Sequence, residues 1–186
     1  FVTDLFRTRI LYPDMETAKK DVEDHIRQSK KILSETDILI VTLGLTEIWE
    51  SRTRNIILSS HPGKHYRIPD DFEFRVSSFT ENLENLRYAL SVLKQNNKKL
   101  NFIVTVSPVH LLATHRTDID VLSASCSSKS TLRAVVDEFQ KLEGVYYFPS
   151  YEIATIAAAL DGVITYPDNH HVSKEIVDTI MGIFEK

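Results

Sequence analysis

Three short apolar runs, each followed directly by polar residues, constrain this chain more than any other feature. They are Asp37-Ile-Leu-Ile-Val-Thr-Leu43, Phe102-Ile-Val-Thr-Val106 and Val145-Tyr-Tyr-Phe148. Runs rich in Ile, Val and aromatic residues read as strands, and the first, nearly continuous, reads as a central parallel strand buried on both faces. Segments with the period of an α-helix lie around them. Asp14 is placed to cap a helix over about 15–34, with Ala18, Val22, Ile26 and Leu33 on one stripe. Ser78 and Glu81 form a capping box opening a helix with Phe79, Leu83, Leu86, Leu90 and Leu93 on one face. Further helices are expected over about 128–142, from Pro149 to Leu160, and from Ser173 to the end. Such alternation implies βαβ units and a parallel sheet covered on both faces. The stretches 50–76 and 107 to about 126 have no period and read as loops, while Lys98-Lys99 reads as a helix-to-strand turn.

Composition narrows the class. With 42% hydrophobic and 26% charged residues over 186 positions, the chain fits one ordinary globular domain, 1–186. A net charge of -4 argues against nucleic acid as a partner, because neutralising phosphates needs a concentrated basic face. No apolar run approaches the roughly 20 residues of a membrane span. The single cysteine, Cys126, rules out an internal disulfide and fits a reducing compartment, so a cytoplasmic location is expected. Three strands make a thin sheet, and Phe1 is not an initiating methionine. The domain therefore reads as truncated, with more strands expected upstream.

In open α/β sheets ligands sit at the carboxyl ends of the strands. That rule selects Gly44-Leu-Thr-Glu47, Ser107-Pro-Val-His110 and the stretch leading to Asp168. Asp168 and His171 are three residues apart before a helix, so one turn brings them within hydrogen-bonding reach. A carboxylate that holds one imidazole nitrogen leaves the other as a general base. A loop acid beside exposed histidines is the plainer reading, and on spacing alone it leads. After the first strand, Gly44 would let backbone amides approach a substrate and Thr46 could donate to an oxyanion, with Glu47 beside them. The equally weighted alternative is a strand-ending turn with a solvated acid. Ser107 and Cys126 lack a nucleophile-elbow context, and Ser before Pro is commonly a turn device. A metal site joining His170 and His171 to His110 or His115 is set aside, because HExxH spacing and a Cys pair are both missing. No cofactor motif is present either. Trp49, Tyr147 and Tyr151 read as core or cleft packing.

Five strings occur in order: Val41-Thr-Leu-Gly-Leu-Thr-Glu-Ile-Trp49, Val104-Thr-Val-Ser-Pro-Val109, Ser128-Lys-Ser-Thr-Leu-Arg133, Tyr147-Phe-Pro-Ser-Tyr-Glu152 and Asp168-x-x-His171. Together they resemble the GSCFA family, a branch of the SGNH (GDSL-like) hydrolases, from about Pro13 to the end. The resemblance implies a three-layer αβα, flavodoxin-like fold. It also implies serine-based hydrolysis or transfer of acyl groups on a small-molecule or glycan ester. Asp168 and His171 match the terminal acid and base; Gly44, Thr46, Glu47 and Ser107 fall at the oxyanion and substrate positions. Two departures stand out. Thr46 stands where the superfamily has Asn, and the Gly-Ser-Cys-Phe-Ala string with its nucleophilic serine is absent. The expectation is an acyl-ester enzyme whose nucleophile lies upstream; the competing expectation is a non-catalytic glycan-binding module.

Overall fold

The computed structural model describes residues 1–186 except 5, 8–9, 52, 59–70, 164 and 169–170, and except the side chain of Thr3. A short antiparallel pair, β1 (Val2–Thr3) and β2 (Leu11–Tyr12), leads into α1 (Met15–Glu35). The Asp14 carboxylate caps α1 by accepting from the Thr17 N–H, a bond that holds its carboxyl below the usual range. The chain continues through β3 (Ile38–Leu43), β4 (Glu47–Ser51), β5 (Ile56–Leu58), β6 (Phe72–Val76), α2 (Phe79–Asn96) and β7 (Asn101–Val106). Then come α3 (Val121–Phe139), β8 (Val145–Tyr147), the single turns α4 (Ser150–Glu152) and α5 (Ala158–Leu160) joined by a π-helical turn at Ile153–Ala157, and α6 (Lys174–Phe184). Among the described residues no helix is long and apolar enough to cross a membrane.

The fold is α/β around a parallel sheet of order β3-β7-β8, in register from Ile38 opposite Asn101 to Leu43 opposite Val106. Alternation along the strands decides what each face meets. Leu39, Val41 and Leu43 join Phe102, Val104 and Val106 beneath α2 and α3, where Leu83, Leu90, Leu132, Val135, Val136 and Phe139 close the core. On the other face the Thr105 hydroxyl bonds Ser150, and the Phe148 ring meets Phe184 of α6 edge-on at 5.0 Å. The turn from α3 into β8 passes through Gly144 at φ 75°, a conformation that L side chains resist.

Several expectations need correction. The first apolar run is not a central strand: β7 is central, and β3 pairs on one side only among the described residues. Its second face is open, with Ile38 54% and Ile40 53% exposed. The same openness appears on α1, where Ala18 is buried but Ile26 is exposed. Within 50–76, β4 pairs with both β5 and β6 in an antiparallel sheet rather than forming a loop, residues 59–70 lying outside the described set. Those strands are only three to five residues long, too short for a period to stand out, although Phe72–Val76 alternates apolar and charged residues. Cross-strand pairs hold them instead: Trp49 opposite Phe74, and Ile48 opposite Arg75. Finally, α3 begins at Val121, not near 128, because the Asp120 carboxylate accepts from the Leu122 and Ser123 N–H groups.

The core makes one direct prediction. Phe139 is fully buried and meets Phe102 edge-on at 6.3 Å. Phe139→Ala should lower stability by about 3–5 kcal/mol in urea unfolding, the range for emptying a buried aromatic site.

Candidate active site

The parallel register sets the site. Because β3 and β7 end together, Gly44 and Ser107 emerge side by side, and the Ser107 N–H donates to the Leu43 carbonyl at 2.8 Å. Tyr166 brings the last segment to the same end, since its hydroxyl donates to the Pro108 carbonyl. Asp168 follows two residues later.

Asp168 grips His171 twice. One carboxylate oxygen, Oδ1, accepts from the His171 backbone N–H at 2.7 Å, and Oδ2 lies 2.6 Å from Nδ1. In the tautomer that donates Nδ1–H to the carboxylate, Nε2 is the nitrogen that would exchange a proton. Both side chains face solvent, His171 at 77% and Asp168 at 53% exposure. Their neighbour His170 lies outside the described residues. His110 stands edge-on to Tyr166 and His115 edge-on to Trp49, each at 4.7 Å. Among the described residues no group of three or more His, Cys, Asp or Glu is placed to hold a metal.

The residues after β3 divide by role. Gly44 is exposed, and beyond its own chain neighbours no heavy atom of the described residues lies within 4 Å of where a Cβ would stand, so its surface is open to a ligand. Thr46 is the reverse, at 2% exposure. Its N–H donates to Ser128 Oγ at 2.6 Å and its hydroxyl to the same oxygen at 3.1 Å. Its carbonyl accepts from the Ser77 N–H and hydroxyl. The hydroxyl read as an oxyanion donor therefore points into the protein and braces the loop. Glu47 accepts from the Thr114 hydroxyl and ties the 107–120 loop to β4. Ser107 Oγ accepts from the Val109 N–H at 3.2 Å, the turn device its Ser-Pro context suggests.

Three residues carry more of this arrangement than the sequence reading gave them. Ser128 holds Thr46, and Lys129 Nζ donates to the Gly44 carbonyl at 2.7 Å. Arg133 bonds Glu152 at 2.5 Å and lies 4.4 Å over the Tyr147 ring, whose hydroxyl also donates to Glu152. Burial pushes the Glu152 carboxyl up, but the Tyr147 and Arg133 bonds outweigh it and hold the group below the usual range. The available signal was helical spacing. Ser125, Ser128 and Lys129 occupy the same stripe as Leu132, Val135, Val136 and Phe139, and polar residues on a buried stripe need partners.

A family model described as the GSCFA family matches residues 3–184, and the chain belongs to that family. No curated protein and no solved structure matches it.

Two predictions follow from the braces. Ser128→Ala leaves the buried Thr46 N–H without its acceptor and should destabilise the fold by about 1–3 kcal/mol in urea. Lys129 is 3% exposed, and burial pushes its ammonium down to about 8 from 10.5. Below pH 8 both states are protonated and the burial penalty acts in full. Between pH 8 and 10.5 the unfolded state binds more protons at this lysine, so the Lys129 contribution to stability rises with pH. The urea midpoint should climb from pH 8 to about 9.5, by at most about 1.4 kcal/mol per pH unit. Lys129→Met should remove that rise.

Proposed function

We propose that the protein is a serine-type acyl-ester hydrolase or acyltransferase of SGNH type, acting on O-acylated substrates, glycans foremost. In this reading the nucleophilic serine comes from sequence upstream of Phe1. The observation that carries the reading is the doubly held Asp168-His171 pair, which follows Tyr166 and its bond to the Pro108 carbonyl after β7. Its geometry suits a base whose tautomer and orientation are fixed by an acid.

The chemistry then runs as acyl transfer. The serine oxygen bonds the acyl carbon while its proton passes to His171 Nε2, and Asp168 steadies the resulting imidazolium. The carbonyl oxygen becomes an oxyanion. With the Thr46 hydroxyl turned toward Ser128, backbone amides at the open Gly44 surface are the donors of choice. Collapse breaks the ester C–O bond, and the departing alcohol takes the proton from His171. Water, or an acceptor alcohol, repeats the sequence in reverse and frees the serine.

A second reading, a binding module without turnover, draws on the same Thr46 geometry and on the Trp49, Phe74 and His115 rings that cluster between β4, β6 and the 107–120 loop. Kinetics separate the two. Residues 1–186 alone should turn over an aryl acetate poorly, and a version carrying upstream sequence should do so readily. In the longer protein His171→Ala should lower kcat on the order of 10³-fold or more with little change in KM. Robust turnover by residues 1–186, blocked by a serine reagent, would put the nucleophile inside the chain, with Ser107 the first suspect. A longer protein inert toward every ester but able to bind glycans would establish the binding module.

A further inference from the structure

A cavity of about 350 Å³ opens between the loop after β7, the first half of α3 and the turns after β8. Pro108 and His110 form one wall, Ser125 and Lys129 another, and Tyr151 and Tyr166 a third. Among the described residues no Asp or Glu lines it. Lys129 is 3% exposed, and its one hydrogen bond among the described residues goes to the Gly44 carbonyl. It has no ion pair with a described carboxylate, and burial alone accounts for its lowered ammonium. A buried cation without a counter-charge is costly unless something supplies one.

From this geometry we infer that the cavity is an anion subsite in which Lys129 receives a carboxylate borne by the ligand. The lining selects the charge. A single ammonium neutralises a monoanion, whereas a phosphate dianion would leave net charge in a largely apolar pocket. Ser125 Oγ accepts from the Leu111 N–H at 3.3 Å, which leaves the hydroxyl proton to donate to a carboxylate oxygen. Position links the cavity to the site: Lys129 holds Gly44, and Tyr166 joins Pro108 two residues before Asp168. That the carboxylate belongs to the substrate rests on the acyl-ester reading. The substrate class becomes an ester carrying an acid, either on a dicarboxylic acyl group or on a sugar acid.

The test uses residues 1–186 and needs no turnover. The Lys129 side-chain carbon beside the nitrogen is followed by NMR against pH, with succinate as the acyl-side probe and glucuronate as the sugar-side probe. Succinamide and glucose serve as neutral controls. An acid that seats here stabilises the ammonium, so the Lys129 midpoint should move up and saturate, and the controls should leave it unchanged. Calorimetry should show affinity falling on the order of tenfold or more in Lys129→Met. A response to succinate alone assigns the acyl side, to glucuronate alone the sugar side, and to both recognition of the carboxylate itself. Unmoved midpoints with both acids overturn the inference, as does unchanged affinity in Lys129→Met. If that variant does not fold, the midpoint of the unaltered protein decides. Ester turnover by the longer protein without acid binding would sink this inference and leave the acyl-ester reading standing; acid binding without turnover would do the opposite.

Discussion

Ser128 and Lys129, neighbours on α3, hold the backbone that leaves β3, and the site is built outward from that hold. Ser128 takes the Thr46 N–H and hydroxyl, Lys129 takes the Gly44 carbonyl, and the loop between is fixed at both ends. These contacts join residues more than eighty positions apart inside a region with little water. An unpaired N–H or carbonyl there would be expensive, so the polar partners must come from α3. The arrangement leaves Gly44 open while Thr46 is locked away. A cleft wall that is rigid beneath and accessible above suits a site that must present backbone amides in a fixed direction.

The remaining strings lock to the same frame. Arg133, one turn beyond Lys129, joins Glu152, and Glu152 joins Tyr147. Ser150 reaches back to Thr105 and the Val106 carbonyl, and the parallel pairing of β7 with β3 closes the circuit. Asp168 and His171 hang from this frame through Tyr166. The pair is exposed, and two bonds from Asp168 to one residue orient the imidazole. A reacting group on the rim and its supports in the interior divide the work between access and precision.

How much of this was legible follows from the kind of signal each part leaves. The helices α2 and α6 announced themselves through Ser78 and Ser173 and through apolar stripes, because capping and periodicity are local. The Asp168-His171 contact was legible for the same reason, three residues and one turn. The small sheet of β4, β5 and β6 was not. Its pairing of Trp49 with Phe74 spans 25 positions, and the alternation of Phe72–Val76 covers only five residues. The openness of β3 was equally hidden, since Ile38 and Ile40 look the same in sequence whether or not a helix covers them. Thr46 shows the limit most clearly. Its place in the string suggested a donor toward the cleft, and only the position of Ser128 reveals which way the hydroxyl turns.

Lys129 ties these threads together, because its burial makes sense only with the site in view. A lysine on the inner stripe of a helix could be replaced by Met or Leu with a gain in packing and no desolvation penalty. The Gly44 carbonyl would then lose its partner, but a neutral donor such as Gln could satisfy a carbonyl without bringing a charge inside. What a neutral donor cannot do is attract an anion. A cationic group beside the cleft, with no acid facing it among the described residues, therefore asks for a role that hydrogen bonding to Gly44 does not fill. Penalties of this kind are tolerated where the charge acts on a ligand, and the cavity beside Tyr166 is where that ligand would sit.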